Sequence, residues 1–136
     1  MTVEIVAGAE VPTTTHTYAA VELFLFSAAS WHPHRVHFDQ AYTRDVEGHT
    51  DILVHGPLQA VHLFQSLTSA LDGQARLASV SYRHRGVLYV GESVVIRGRV
   101  SEVDDERRKA TVEMWMEKEG SGEQTTTGKA MLDIRQ

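Results

Sequence analysis

Between Gly56 and Leu71 the chain carries a helix that no exposed position could satisfy. Ala60, Leu63, Phe64, Leu67 and Leu71 recur at helical spacing, and Leu58 and Val61 widen the stripe. Gly56-Pro57 opens it, since proline at the first helical position gives up an amide that has no partner there. Asp72-Gly73 supplies the stop. So broad an apolar face has to be covered on several sides. The remainder of the chain provides the cover, as four β-like runs over residues 77–86, 93–103, 109–117 and 123–134. Val94, Ile96 and Val100 alternate with polar residues, and so do Val112, Met114 and Met116. Val90-Gly91-Glu92, Asp104-Asp105-Glu106 and Gly120-Ser121-Gly122 give turn chemistry between the runs. Strands so close in sequence are expected to pair as an antiparallel meander. The expected class is therefore α+β, an antiparallel sheet curled around a central α-helix.

Upstream, residues 1–16 read as an extended arm or a short edge strand. Val21, Phe24, Leu25 and Ala28 then mark one face of a helix, with Thr17 as its N-cap. Pro33 biases His32 away from helical dihedrals, so that helix should end near Ser30 or Trp31. Asp39 can cap a short helix from Gln40 to Val46, which Gly48 would end.

A length of 136 residues suits one domain, here residues 1–136, with room for one sizeable core. The formal net charge of -5 comes with no basic stripe, so nucleic acid is not an expected partner. There is no cysteine, which excludes disulfides, thiolate metal sites and a thiol nucleophile. Met1-Thr2-Val3-Glu4 has no basic, signal-like start, and no apolar stretch approaches the ~20 residues that cross a bilayer. The expected setting is cytoplasmic, without a membrane partner.

Chemistry concentrates in the histidines, of which there are eight. His32, His34 and His37 admit two readings. Three imidazoles in H-x-H-x-x-H spacing are ligands that zinc accepts, although no fourth ligand stands near. Imidazoles in a half-buried turn can equally exchange protons near neutral pH. A second group is Val54-His55-Gly56-Pro57-Leu58. A helix start presents unpaired N–H groups at the positive end of the dipole, and Gly56 lets a carbonyl oxygen come close. Such an amide can stabilise charge on an oxyanion. Taken alone, Gly-Pro need do no more than begin the helix.

Together the two groups carry a resemblance. The run Phe26-Ser27-Ala28-Ala29-Ser30-Trp31-His32-Pro33-His34-Arg35-Val36-His37-Phe38-Asp39 is similar to the active-site segment of MaoC-like hotdog hydratases and dehydratases. It is nearest the branch holding mesaconyl-CoA hydratase-like and 3-hydroxyacyl-thioester dehydratases. Tyr42, Gly48 and Val54-His55-Gly56-Pro57-Leu58-Gln59-Ala60 fall where that branch's pattern expects them. Gly86-Val87-Leu88-Tyr89-Val90-Gly91-Glu92 resembles a later segment, so the likeness runs over roughly residues 17–100. The resemblance implies a single hotdog fold and a hydro-lyase acting on acyl-CoA or acyl-carrier-protein thioesters, with no cofactor and no metal. It implies His37 as the catalytic histidine and Gly56 as the amide that binds the thioester oxygen; His55 is a candidate to line the substrate or to make a structural hydrogen bond, and Tyr42 a candidate substrate neighbour whose plainer reading is packing beside the loop. Where this branch carries asparagine and better-known hydratases aspartate, the chain has His32, an imidazole able to serve as the second acid/base group. A homodimer or higher oligomer is expected, and a hetero-partner of the same fold is possible because the likeness is to the motif-bearing half of two-domain enzymes.

Other readings remain at this point. A non-catalytic thioester-binding or partner subunit would also have this fold. A thioesterase would need an acid at the central helix start, where the chain reads His55-Gly56-Pro57. Asp39 is expected to cap a helix, Trp31 to pack, and His62 to be a hydrogen-bonded core or interface histidine. Arg83, Arg85, Arg97 and Arg99 are expected on a solvated sheet face.

Overall fold

The computed structural model describes residues 1–136. Five strands and three α-helices follow one another as β1 (Glu10–Thr17), α1 (Ala20–Ser30), α2 (Gln40–Asp45), α3 (Gly56–Leu71), β2 (Ala75–His84), β3 (Ser93–Asp104), β4 (Lys109–Lys118) and β5 (Gln124–Ile134). A single 3-10 turn, Arg35–His37, stands between α1 and α2. The strands form one antiparallel sheet in the order β1-β3-β4-β5-β2.

α3 lies against this sheet, as its pattern requires. Leu58, Ala60, Leu63, Phe64, Leu67, Ala70 and Leu71 are buried along it. Leu63 and Leu67 are fully shielded, each burial contributing about 1.5–3 kcal/mol. Opposite them the sheet presents Val94, Ile96 and Val100 from β3, Val112, Met114 and Met116 from β4, and Ala130 and Leu132 from β5. Asp72 takes the left-handed conformation that ends α3.

Two local expectations are corrected. β3, β4 and β5 do form a meander, but β2 pairs with β5 and not with β3. Residues 85–92 therefore cross from one edge of the sheet toward the other. They are held on the way by backbone bonds from Val54 N–H to Leu88 and from Val90 N–H to Ile52, which a hairpin would not need. Thr17 ends β1 instead of capping α1, and its hydroxyl bonds Ser93. The residue at the cap is Ala19, without a side-chain bond.

The spacing in α1 left its orientation open. Its buried residues are Leu23 and Ser27, while Val21, Phe24 and Leu25 are 64%, 55% and 59% exposed. The face that these three share is turned away from the core. No helix is long and apolar enough to cross a membrane.

Candidate active site

The segment after α1 is bent by Trp31, whose φ of 57° ends the helix, and by the 3-10 turn that carries His37. Leu53 clamps that turn from across the chain. Its N–H donates to Val36 O at 2.9 Å, and its carbonyl accepts from His37 Nδ1 at 2.9 Å. A carbonyl can only accept, so the bond places the proton on Nδ1 and leaves the Nε2 lone pair free. Burial holds the His37 pKa below the usual imidazole value, with His34 and His32 adding to the effect and the Leu53 bond opposing it. At neutral pH His37 is thus a free base with a fixed ring.

Against it lies His55, stacked with ring centroids 3.8 Å apart and planes 19° apart. His55 is fully buried. Its Nε2 meets Ser27 Oγ at 2.7 Å, and its Nδ1 has no protein partner. An unpaired buried ring nitrogen costs about 1–3 kcal/mol, and a charged ring there would cost more. Burial, with His37 and His32 adding to it, accordingly pushes the His55 pKa down to about 4. A neutral His55 leaves its stacked neighbour able to take up a proton, since a charged one would oppose it.

His55 is also the residue on which α3 begins. The next amide, Gly56 N–H, belongs to the first turn and has no partner within the helix. The absence of a side chain at Gly56 has a local cause. A Cβ there would lie 2.2 Å from His84 Nε2, because the His84 ring, from the end of β2, packs over this glycine. His84 Nδ1 faces Thr126 Oγ1 at 3.4 Å, and the Thr126 hydroxyl donates to Gln59 Oε1 at 2.9 Å within the core. β5, β2 and α3 are thereby joined at the helix start.

His84, Thr126, Gln59, Ser27 and the Leu53 carbonyl enter the site without having been singled out in the sequence. Strand alternation offered a signal for His84 alone, since it lies between two arginines expected to face solvent. Gly56→Ala should displace the His84 ring, at the low end of the roughly 1–3 kcal/mol that overpacking costs. In thermal denaturation Gly56→Ala with His84→Ala is expected to regain what the single variant loses. Additive losses would show that the two do not meet.

Among the other candidates, His32 comes near. Its ring stands edge-on to His55 at 5.9 Å, and its Nδ1 meets Ser30 Oγ at 3.0 Å. The Ser30 hydroxyl donates to Phe26 O, so it accepts from His32 Nδ1–H and leaves His32 Nε2 unprotonated. Tyr42 is placed further out: its hydroxyl donates to Glu47 at 2.8 Å, and Arg35 lies 4.2 Å over its ring. Asp39 caps α2 by accepting from Tyr42 N–H at 3.0 Å. A cavity of about 220 Å³ opens beside the site, lined by Phe24, Ala28, Trp31, Pro33 and Phe38 together with Ser27 and His32.

The H-x-H-x-x-H segment does not gather three ligand atoms. His34 Nδ1 accepts from Val36 N–H, and His37 Nδ1 is engaged by Leu53. The side chains that do converge are His16, Glu22 and His62, elsewhere in the fold. Arg97 and Arg99 pair with Glu117 and Glu113 on the outer face of the sheet. Arg83 and Arg85 line a groove of about 530 Å³ with Lys129. They alternate with His84, which places them on the face opposite α3 and away from His37.

Comparison with known proteins bears on family and fold. The sequence model of the family described as hydroxyacyl-thioester dehydratase type 2 matches residues 5–90. Mesaconyl-C(4)-CoA hydratase of Chloroflexus aurantiacus is 46% identical over 43 residues, 32% of this chain and 15% of that protein. The mitochondrial hydroxyacyl-thioester dehydratase type 2 of Saccharomyces cerevisiae is 29% identical over 80 residues, 59% of this chain and 28% of that protein. The matched region is thus less than a third of either curated relative. Among solved structures, the (R)-hydratase from A. caviae involved in PHA biosynthesis superposes with a TM-score of 0.87 at 22% identity, covering 97% of this chain and 98% of that one. The fold is the hotdog.

Proposed function

Because the chain belongs to the hydroxyacyl-thioester dehydratase type 2 family, we propose that it is an acyl-thioester hydro-lyase using His37 as its base. The observation that carries this reading is the Leu53 clamp. It leaves His37 Nε2 unprotonated and fixed, against a neutral His55 and beside the start of α3.

Hydration of a 2-enoyl thioester then runs as follows. His37 Nε2 takes a proton from water as the water oxygen bonds to C3. The C2=C3 electrons shift toward the thioester carbonyl, where Gly56 N–H, at the positive end of the α3 dipole, meets the growing negative charge. The proton returns from His37 to C2, giving the 3-hydroxyacyl thioester and regenerating the base. Dehydration is the reverse. His32, whose Nε2 is also bare, serves as the second acid/base group that holds the water or relays its proton. The apolar groove beside Ser27 and His32 takes the acyl chain.

The substrate is carried on CoA or a carrier protein, and the functional unit is an oligomer. β2 forms one margin of the sheet, and its Val80 and Tyr82 are 45% and 42% exposed. An open, partly apolar edge of this kind is suited to pairing with a second hotdog chain, a copy of this one or a different subunit.

Crotonyl-CoA tests the reading. Purified protein should bleach the enoyl absorbance without releasing free thiol. Thiol release would point to a thioesterase. Silence across several chain lengths and a dicarboxylic enoyl-CoA would leave a subunit that binds thioesters without transforming them.

A further inference from the structure

About two turns along α3 from His55, three ligand-bearing side chains from three different elements meet. They are His16 on β1, Glu22 on α1 and His62 on α3, and one ligand atom from each lies within 4.8 Å of the others. His16 Nε2 stands 2.8 and 3.0 Å from the two Glu22 oxygens, and His62 Nε2 stands 3.9 Å from Oε1. The imidazole rings are themselves in contact, with centroids 4.4 Å apart. We propose that His16, Glu22 and His62 form a binding site for a divalent first-row transition-metal cation, with zinc the ion whose preferences fit it best.

The arrangement around His62 supports this beyond the convergence itself. Metal-bound imidazoles are commonly oriented by a hydrogen bond on the ring nitrogen remote from the metal. His62 has that partner: its Nδ1 lies 2.8 Å from the hydroxyl of Tyr18, which is fully buried. The Tyr18 hydroxyl can accept from Nδ1–H, the tautomer in which Nε2 is free to bind an ion.

The donor set of two imidazole nitrogens and one carboxylate is one that zinc takes with a fourth place open. Oxygen-seeking calcium and magnesium would find a single carboxylate here. The open side faces a cleft of about 230 Å³ that Thr14 and Ser66 line along with His16 and His62, so water can reach it. The three ligand side chains are 31%, 29% and 20% exposed, shielded enough to hold an ion and open enough to admit one.

A cation here would have a structural consequence. α1 buries only Leu23 and Ser27, and an ion would fasten it directly to β1 and α3. Glu22 precedes Ser27, the partner of His55, by five residues, roughly 7.5 Å along the helix. The site is nonetheless independent of the hydro-lyase reading, since none of its ligands touches His37.

The test uses the untagged protein of residues 1–136, stripped with a chelator and titrated with ZnCl2 by calorimetry. One equivalent per chain is expected to bind. In imidazole NMR spectra of the wild-type protein, zinc should move the ring signals of His16 and His62 and leave those of His37 and His55 in place. Tyr18→Phe should weaken binding about 10- to 100-fold, as loss of an orienting partner does. Glu22→Gln and His62→Ala should weaken it further, with far-UV circular dichroism confirming that each variant is folded. The proposal is overturned by the absence of saturable binding, by ring shifts at His32, His34 and His37 instead, or by undiminished affinity in folded His62→Ala.

Discussion

His37→Ala is expected to lower kcat/KM for hydration of crotonyl-CoA by about 10²- to 10⁴-fold, the range contributed by a positioned general base. His37 is the imidazole that a backbone carbonyl fixes with Nε2 bare, and His32 assists it without taking its place. His55 is held neutral by burial, and Ser27 occupies its Nε2. His32 is anchored through Ser30 in an edge-on position. The loss should fall on kcat more than on KM, because the acyl chain and the thioester oxygen are held by other groups. A structural loss is separable from a chemical one. The variant leaves the Leu53 carbonyl unpaired, an expected cost of about 1–3 kcal/mol, so the rates have to be compared under conditions where circular dichroism shows both proteins folded. The wild-type pH profile offers a second check. Burial lowers the His37 pKa, so activity should be level through neutral pH and fall only on the acid side of the ordinary imidazole value of 6.5. Full activity in a folded His37→Ala would sink the assignment. An acid limb unchanged in a slow His37→Ala would move the base to another residue.

Much of the architecture is legible in the chain because it rests on local periodicity. The apolar faces of α3 and of strands β3 to β5 follow from side-chain spacing, and the caps at Asp39 and Asp72 follow from residue type. What escapes is whatever depends on which elements meet. The strand pattern of residues 77–86 does not reveal that β2 joins β5, since both faces of β2 are largely exposed and its partner is set by the path of residues 85–92. The α1 spacing marks a helix face without showing which way it turns. The same division runs through the site. His37, His55 and Gly56 lie in two short strings that a family pattern can match. The groups that make them chemically useful are a backbone carbonyl sixteen residues away and a serine twenty-eight residues away. His16, Glu22 and His62 come from three elements, and no spacing rule connects them.

The histidines also predict how stability depends on pH. His55 titrates near 4 in the folded protein and near 6.5 when exposed by unfolding. Between those values the unfolded chain takes up a proton that the native state refuses. Stability is therefore complete above about pH 6.5, falls as the pH drops through that window, and loses nothing further from this group below about pH 4. At 1.36 kcal/mol per pH unit the loss from His55 reaches about 3 kcal/mol, most of it by pH ~4.5. His37 and His62 act in the same direction, both being lowered chiefly by burial. The carboxylates with depressed values, Asp39, Asp51 and Asp133, act only below the ordinary carboxylate range and leave this window to the imidazoles. His55→Gln removes the titrating group while retaining an amide able to bond Ser27. It should be less stable than wild type at pH ~7, because a buried ring and its stacking on His37 are lost. Its urea midpoint should nevertheless fall less between pH ~7 and ~5, with about 2 kcal/mol of the wild-type decline missing. A variant as acid-sensitive as the wild type would mean that His55 takes up its proton in the folded state as readily as in the unfolded one, and that burial does not hold it neutral.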